Sequence, residues 1–557
     1  MSLSPQGPCS IPEETVRLAR TICPKGTLYM HIRDQLGAIY EDQSFTDLFS
    51  TRGQPAETPW RLVLVCIFQF MEGLTDRQAA EAVQQRIDWK YALALELSDP
   101  GFDFSVLCKF RARLLAGGNE MQLFDVMLAH LKAQGLLKAR GRQRTDSTHI
   151  LAAVRVLNRL ERVGETMRHA LNILAEVAPD WLRTHAAPEW YECYGRRMEN
   201  YRFPKAETER SELGAMIGRD GLQLLQAVDS ATDLPWLQNL PAILTLRRVW
   251  SEQYTDQSHA ICFREKKDLE SPADLIVSPY DTEARFSVKR GMEWIGYKVH
   301  FTETCDEDLP HLITHVETTQ ASVPDDQVLE GVHQALAQRD LLPNVHLVDA
   351  GYTDAEGLVS SQQAYGVTLL GPVATDPSWQ AKAGEGFDKG SFLIDWEREI
   401  AICPAGKQNY SWLPNGDRSR GVAGGIRVQF ASRDCTPCPL RSRCTRAKMA
   451  PRELVLLPRE RYEALRAAKQ RQHTATFQEE YALRSGIEST HAQGIHRSDL
   501  RRARYVGLTK TRLQHILTAI ALNMVRAVQW LIDTSPTESP LPKTRLSRFA
   551  ALEKVGA

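Results

Sequence analysis

Three acidic residues, far apart in the chain, have neighbours that could place them together in one active site. Asp146 lies in "RTDSTHI", Asp349 in "VDAGYTD" and Glu488 in "YALRSGIE". Three carboxylates brought together raise each other's pKa unless a cation offsets their charge. Such oxygen ligands select a hard ion, Mg²⁺ or Mn²⁺, and paired ions of this kind promote in-line displacement at a phosphodiester. The acids therefore predict metal-dependent nuclease or strand-transfer chemistry.

Each acid on its own also has an ordinary structural explanation. A single Asp is commonly a helix cap or a turn residue. Tyr481, Arg484 and Glu488 recur at intervals of three and four, so a helix would place them on one face. Arg484 could hold a phosphate through two parallel hydrogen bonds. The same spacing also fits a surface ion pair between Arg484 and Glu488, which would contribute little energy.

The elements around the acids follow a recognisable order. "EWIGYKVHFTET" alternates apolar and polar residues and predicts a half-buried strand, with "HLITHVETT" as its hairpin partner. A helix, the short strand that ends at Asp349, a second helix and a last strand follow. Preceded by a strand at Asp146, this order is typical of an RNase H-like mixed sheet with helices on both faces. We expect the strands of Asp146 and Asp349 to be neighbours in that sheet.

The chain is predicted to be a multidomain α/β protein. Its predicted parts are an irregular leader (1–54), an all-helical domain (55–140), a catalytic domain (141–533) and a flexible tail (534–557). The catalytic domain is predicted to contain a helical insertion (151–280) and a Cys-rich insertion (375–475).

The N-terminal helical domain has short helices joined by tight turns, which resemble a helix-turn-helix arrangement. Its last predicted helix carries Lys109, Arg111 and Arg113 at every second position, and these three are candidate DNA contacts. A plain helical bundle with a solvated basic face explains the same pattern, and both interpretations stay open.

Four cysteines gather in the Cys-rich insertion. Cys403 stands in "CPAG", and Cys435, Cys438 and Cys444 stand in "CTPCPLRSRC". Turns of these two types wrap zinc, because their backbone amides point at the thiolates. The set predicts a structural Zn²⁺ site, with four reduced thiols in a loop as the alternative.

The charge distribution is uneven. The whole chain has a net charge of −1, but residues 484–526 contain eight Lys and Arg against Glu488 and Asp499. Such a cluster beside the third acid fits a channel for the DNA backbone, whereas a charge run is otherwise a solvated face. The predicted DNA contacts here are Tyr481, Arg484, His496, Arg497, Arg501, Arg502, Arg504, Lys510 and Arg512.

Composition and cysteine usage indicate a cytoplasmic protein. The hydrophobic content of 43% is that of a globular chain, and the first twenty residues lack the apolar core of a signal peptide. No apolar run reaches the ~18 residues that a bilayer span needs. Eleven cysteines, an odd number, fit a reducing compartment. We therefore expect no membrane association.

The motifs as a set resemble those of bacterial insertion-sequence transposases of the DDE type, in the group numbered eleven-eighty-two. The resemblance extends from about residue 55 to residue 530 and rests on "EGLTDRQAAEAV", "TDSTHI", "DTEARFSVKRGMEWIGYKVHFTETCD", "VDAGYTD" and "SGIESTHAQGIHRSDLRRARYVGLTK". It implies that Asp146, Asp349 and Glu488 bind catalytic Mg²⁺ or Mn²⁺, and that Tyr352 supports the site. Related families have a Lys seven positions after the Glu, where this chain has Ile495.

The resemblance also implies a set of partners. These are double-stranded DNA at the element's terminal repeats and at the target, and a second copy of the chain when two ends are brought together in the bacterial nucleoid. The expected reaction is cleavage at the element ends followed by strand transfer. A metal-dependent nuclease without strand transfer, or a catalytically silent DNA-binding protein, would have the same acids.

Overall fold

A computed structural model describes residues 2–5, 7, 9–257, 260–289, 291–414 and 425–534. The flexible tail predicted from residue 534 lies, apart from Thr534 itself, outside the described residues.

The first 140 residues are helical. The helices are α1 (Glu13–Ile22), α2 (Leu28–Leu36), α3 (Pro59–Glu72), α4 (Asp76–Gln85), α5 (Ile87–Ala92), α6 (Ser105–Ala116) and α7 (Glu120–Ala133). As predicted for this region, α3 begins at Pro59 and ends before Gly73, which adopts the left-handed conformation that glycine tolerates. The prediction of an irregular leader is wrong, because α1 and α2 lie within it. Each spans only about three turns, too few for apolar periodicity to stand out.

The helical insertion follows strand β1 (Arg142–Leu151). It consists of α8 (Arg159–Val177), α9 (Pro179–His185), α10 (Pro188–Tyr194), α11 (Glu207–Asp229), α12 (Pro241–Gln253) and a hairpin of β2 (Tyr254–Gln257) and β3 (Ala260–Phe263). Its apolar residues form a core of their own around Val163, Leu224 and Trp250. The helical prediction is therefore confirmed, apart from the closing hairpin.

The central sheet is mixed. Its remaining elements are β4 (Arg285–Lys289), β5 (Met292–Thr304), β6 (Ile313–Gln320), α13 (Leu329–Gln338), β7 (Val345–Val348), α14 (Ala355–Tyr365) and β8 (Thr368–Leu370). β1 pairs antiparallel with β5, and the other edge of β5 is shared by β4 and β6. On its second edge β1 pairs with β7, and β7 pairs with β8, both in parallel. The strands predicted from alternation and apolar runs are all present. The prediction that β5 is half-buried is wrong, because every residue from Gly296 to Thr304 is buried between the layers on both faces of the sheet.

The register of β1 and β7 places the first two acids side by side. The last paired positions are Thr145 and Val348, so Asp146 and Asp349 occupy the next position on each strand. Neighbouring strands lie about 4.8 Å apart. The prediction that these two strands are neighbours is confirmed.

The Cys-rich insertion consists of short helices and strands and is not mainly loop. It has α15 (Trp379–Ala383), β9 (Leu393–Asp395), β10 (Ile400–Ile402), β11 (Asn409–Pro414), β12 (Ile426–Phe430), α16 (Ser432–Cys435), α17 (Arg441–Cys444), β13 (Glu453–Leu456) and α18 (Arg459–Arg471). β11, β12 and β13 form a small antiparallel sheet. Its core is small and includes Phe392, Phe430 and Leu454.

The chain ends in α19 (Ala475–Ala482), α20 (Gly486–Ser498) and α21 (Leu508–Thr534). α21 packs against α3, α7 and β6, and one apolar core runs from the N-terminal helices through the sheet to this helix. The predicted boundary at residue 140 therefore does not separate two cores. α21 is long and apolar enough to cross a membrane, yet 67% of its apolar window is buried inside the protein.

Candidate active site

The first two acids share an electrostatic environment. Asp349 is half-buried, and its Oδ1 accepts a hydrogen bond of 2.8 Å from the backbone N–H of Gly351. Burial raises the pKa of Asp349, and the negative charges of Asp146 and, more weakly, Asp325 raise it further. Burial and nearby negative charge disfavour the ionised form of such a carboxylate, and a cation bound beside it would stabilise that form.

Arg484 connects the first acid with the third. Its Nη1 lies 2.8 Å from Asp146 Oδ2, and its Nη2 lies 3.6 Å from Glu488 Oε1. The side chains of Arg484 and Asp146 are 16% and 14% exposed, whereas that of Glu488 is 68% exposed. The guanidinium also lies 5.8 Å from the ring centre of Tyr481. The four residues therefore form one group around a positive charge.

A buried ion network fixes α20, which carries Glu488, to the sheet. The carboxylate of Glu303 on β5 has no exposed surface and pairs with Arg144 of β1 at 2.6 Å and Arg526 of α21 at 2.8 Å. It also accepts a hydrogen bond of 2.6 Å from Thr490 of α20. Glu303 is not among the site residues predicted from the sequence. The available signal was an acid among the apolar residues of a predicted strand.

A fourth acid lies next to this group and was also missed. Asp325 accepts a hydrogen bond of 2.6 Å from Lys298 Nζ and one of 3.1 Å from the hydroxyl of Ser147. A Cβ on Gly351 would lie 3.0 Å from an oxygen of Asp349 and 3.4 Å from one of Asp325. Although burial opposes it, the nearby Lys298 keeps the pKa of Asp325 below its usual value. Asp325 stands directly before a short 3-10 helix, Asp326–Val328. An acid at that position is usually interpreted as a helix cap and not as a site residue.

Tyr352 lies beneath the acids. Its side chain is fully buried, and its hydroxyl lies 2.6 Å from Nδ1 of His300. Burial lowers the pKa of His300 to about 4, so the ring is neutral at pH 7 and can accept this hydrogen bond. This position fits the predicted role of Tyr352 as a residue that supports the site. That role remains a prediction.

The acids fit a divalent cation only in part as they are placed. In the part of the chain that the structure describes, no three His, Cys, Asp or Glu side chains are close enough together to hold a metal ion. Asp146 in the middle of β1 and Asp349 directly after β7 offer oxygen ligands from neighbouring strands, and burial together with the charge of Asp146 raises the pKa of Asp349. Glu488 is separated from Asp146 by the Arg484 guanidinium. The donor set is therefore right for Mg²⁺ at the Asp146–Asp349 pair.

Two family models match parts of the chain. Residues 402–528 match a model described as a transposase DDE domain. Residues 22–113 match one described as a transposase domain (DUF772). The two matches indicate an insertion-sequence transposase. The first match includes Arg484 and Glu488, and the second includes most of the N-terminal helices. No curated protein gives a significant match.

The basic residues at the end of α20 and after it divide into exposed and structural ones. Arg501 lies beside the end of β1, since its carbonyl accepts a hydrogen bond from the N–H of Leu151 and its Nη1 lies 2.6 Å from His149 Nδ1. The exposed ones are His496, Arg497, Arg502 and Lys510. Ile495, where related families have a Lys, packs against the apolar core.

Two of the predicted DNA contacts in this region make internal interactions. Arg504 donates to the carbonyl of Leu74 at 2.8 Å and lies over the ring of Phe70 at 4.7 Å. Arg512 lies 4.0 Å from Glu120. Their positions link the C-terminal segment to the N-terminal helices.

The three basic residues of α6 do not share one surface. Successive residues of an α-helix are rotated by about 100°, so every second position alternates between faces. Lys109 is exposed and Arg113 lies over the ring of Phe49. Arg111 points the other way, is only 7% exposed and pairs with Asp76 at 2.5 Å. The prediction that Arg111 contacts DNA is therefore corrected: it is a buried structural residue.

Proposed function

We propose that this chain is a DNA transposase that cleaves the ends of an insertion sequence and joins the freed ends to target DNA. Asp146, Asp349 and Glu488 are the proposed catalytic acids, on an RNase H-like domain of the group numbered eleven-eighty-two. The observation that carries the proposal is the register of β1 and β7, which puts Asp146, in the middle of β1, beside Asp349, directly after the end of β7. The strand order β6–β5–β1–β7–β8 is the order of an RNase H-like sheet and supports that assignment.

The proposed roles follow from the positions of the residues. Divalent ions bound at these acids would activate the attacking water or 3′-hydroxyl oxygen and stabilise the leaving oxygen. Asp146 and Asp349 provide the oxygen ligands, and Glu488 joins them from α20. Arg484, held beside Asp146, is placed to grip a phosphate through its fork of N–H donors.

DNA contact is assigned to the exposed cations around the site. Arg502 and Lys510 lie on the segment that follows α20, and His496 and Arg497 lie at the end of α20. Lys and Arg in such positions displace counterions from the DNA backbone, so affinity falls with salt. Two ends must be brought together for transposition, so we propose that the active form is a homodimer.

The test is a cleavage and joining assay on a plasmid that carries a marker between the DNA sequences flanking this gene. With Mg²⁺, the wild-type protein is expected to release the marker fragment and to join pre-cleaved ends to a second plasmid. Asp146→Asn is expected to abolish both reactions while binding the ends nearly as well. The matched control is Asp308→Asn, at an exposed carboxylate that pairs with Lys138.

Three outcomes separate the alternatives. Cleavage without joining of pre-cleaved ends would indicate a nuclease. Binding without any Mg²⁺-dependent cleavage would indicate a catalytically silent DNA-binding protein. Cleavage by Asp146→Asn at the wild-type rate would refute the assignment of Asp146.

A further inference from the structure

Four thiols from separate turns of the Cys-rich insertion line one small cavity. Cys403 follows β10, Cys435 and Cys438 lie at the end of α16 and in the next turn, and Cys444 ends α17. The walls between them include Phe387 and Phe430, and all four cysteines are free thiols. The fold thus brings together sulfur atoms from positions up to 41 residues apart, since 444 minus 403 is 41.

The backbone around Cys403 is folded as a metal-binding turn. The N–H of Gly406 donates to the carbonyl of Cys403 at 2.8 Å, and the N–H of Lys407 donates to its sulfur at 3.4 Å. Gly406 has a φ of +75°, which glycine adopts without strain. An amide that donates to sulfur favours the thiolate, the form that binds metal. A second turn is closed by the N–H of Cys438 and the carbonyl of Cys435 at 3.4 Å.

Two half-buried arginines that line the same cavity each have one buried nitrogen without a hydrogen-bond partner among the described residues. In the described structure, Nη1 of Arg441 and Nε of Arg452 are buried without a hydrogen-bond partner. Buried donors of this kind are rare, because an unmet hydrogen bond costs about 1–3 kcal/mol. Four thiolates around one Zn²⁺ carry a net negative charge, and these two guanidinium groups would offset it. The cavity therefore has both the ligands and the counter-charges of a thiolate metal centre.

The size and chemistry of the cavity select the metal. Its volume of about 30 Å³ has room for a single ion. Thiolate ligands favour zinc over Mg²⁺ or Mn²⁺. Within the described ranges, no three potential ligands already stand at metal-binding spacing. Binding therefore requires the thiols to turn inward from the cavity wall.

We propose that Cys403, Cys435, Cys438 and Cys444 bind one structural Zn²⁺ that stabilises the Cys-rich insertion. The apolar core of this insertion is small, so a metal would supply much of its folding energy. The insertion lies between Asp349 and Glu488, and its last helix, α18, packs against α14. The zinc thus fixes the path by which the chain returns from the second acid to the third. This inference does not depend on the proposed transposase reaction.

The first experiment measures bound metal in the full-length protein purified under reducing conditions without chelator. One Zn²⁺ per chain is expected by elemental analysis, and less than a tenth of that in Cys435→Ser and in Cys403→Ser. The control is Cys262→Ser, on β3 of the helical insertion, which is expected to keep its zinc. Wild-type protein that holds less than a tenth of an equivalent after incubation with Zn²⁺ would overturn the proposal. Equal zinc loss in Cys262→Ser would overturn it too.

The second experiment uses wild-type protein only, since the Cys variants could fail to fold. Co²⁺ bound in place of zinc is expected to give the intense sulfur-to-cobalt absorption of a tetrathiolate site. Removal of zinc with a chelator is expected to increase the rate of proteolysis between residues 375 and 475 at least tenfold, and Zn²⁺ but not Mg²⁺ should reverse the increase. Absence of the sulfur-to-cobalt band, or proteolysis unchanged by the chelator, would refute a structural zinc at these thiols.

Discussion

The guanidinium of Arg484 lies 2.8 Å from a carboxylate oxygen of Asp146, although 338 positions separate the two residues in the chain. Burial alone would lower the pKa of Arg484, but the charge of Asp146 and its hydrogen bond raise it overall. The arginine therefore provides a positive charge next to the first acid. A divalent ion at Asp146 would have to compete with it.

Arg484→Ala is expected to affect metal binding and cleavage in opposite directions. Removal of the guanidinium frees Asp146 and Glu488, so Mn²⁺ should bind more tightly by calorimetric titration. Cleavage should fall by about 10²–10³-fold, because the proposed phosphate contact is lost. Arg484→Lys keeps the positive charge but lacks the fork of donors. Its Mn²⁺ affinity and its cleavage rate should both lie between those of wild type and of Arg484→Ala. Weaker Mn²⁺ binding in Arg484→Ala would contradict this account.

The raised pKa of Asp349 predicts how the free energy of unfolding depends on pH. The folded state holds the proton on Asp349 more tightly than the unfolded state, so ionised Asp349 lowers the free energy of unfolding. This penalty is complete above the folded pKa and disappears as the pH falls through that pKa towards the ordinary Asp value of about 3.9. Asp349→Asn should therefore raise the midpoint of urea unfolding at pH 7, by an amount that shrinks as the pH is lowered.

The control for this prediction is Asp308→Asn, because the Lys138 hydrogen bond lowers the pKa of that exposed carboxyl. It should give no gain in stability at pH 7. Mg²⁺ at one hundred times its Kd should stabilise wild-type protein by about 2.7 kcal/mol and the Asp349→Asn protein by less. Equal stabilisation of the two proteins by Mg²⁺ would argue against Asp349 as a ligand.

Arg111→Met is expected to reduce stability and not DNA affinity. The substitution leaves the partly buried carboxylate of Asp76 without its partner and removes the contact with the ring of Tyr505 at 5.4 Å. Breaking a buried pair costs roughly 3 kcal/mol, measurable by urea unfolding. The matched variant is Lys109→Met on the exposed face of α6. It should unfold like wild type, and any loss of DNA affinity should appear there.

Arg452→Met tests the counter-charge at the proposed zinc site. Loss of a residue that supports metal ligands typically lowers metal affinity by about 10–100-fold. Zinc should therefore transfer to a competing chelator at least tenfold faster than from wild type. Arg446→Met, at a guanidinium that lies over Trp379, is the matched control and should release zinc at the wild-type rate. Similar rates in both variants would argue against a role for Arg452 at the metal.

The central sheet was predictable because its strands carry local signals. Alternation in β5 and the apolar run of β7 are local signals of a strand, although the structure also buries the polar residues of β5 from Lys298 to Thr304. The neighbouring positions of the strands that carry Asp146 and Asp349 followed from the order of these elements. The short helices of the leader have too few turns for such a signal. The prediction that Arg111 on α6 contacts DNA was wrong because residues at every second position of a helix do not share a face.

Sequence by itself determined the types of residue available for chemistry and the order of the elements that carry them. Only the tertiary structure decided which of these residues meet. The pairing of Arg484 with Asp146, the buried Glu303 network, the position of Asp325 beside Asp349 and the common cavity of four cysteines all join residues distant in the chain. Local patterns record burial and backbone preference, whereas contacts between distant residues depend on how the whole core packs.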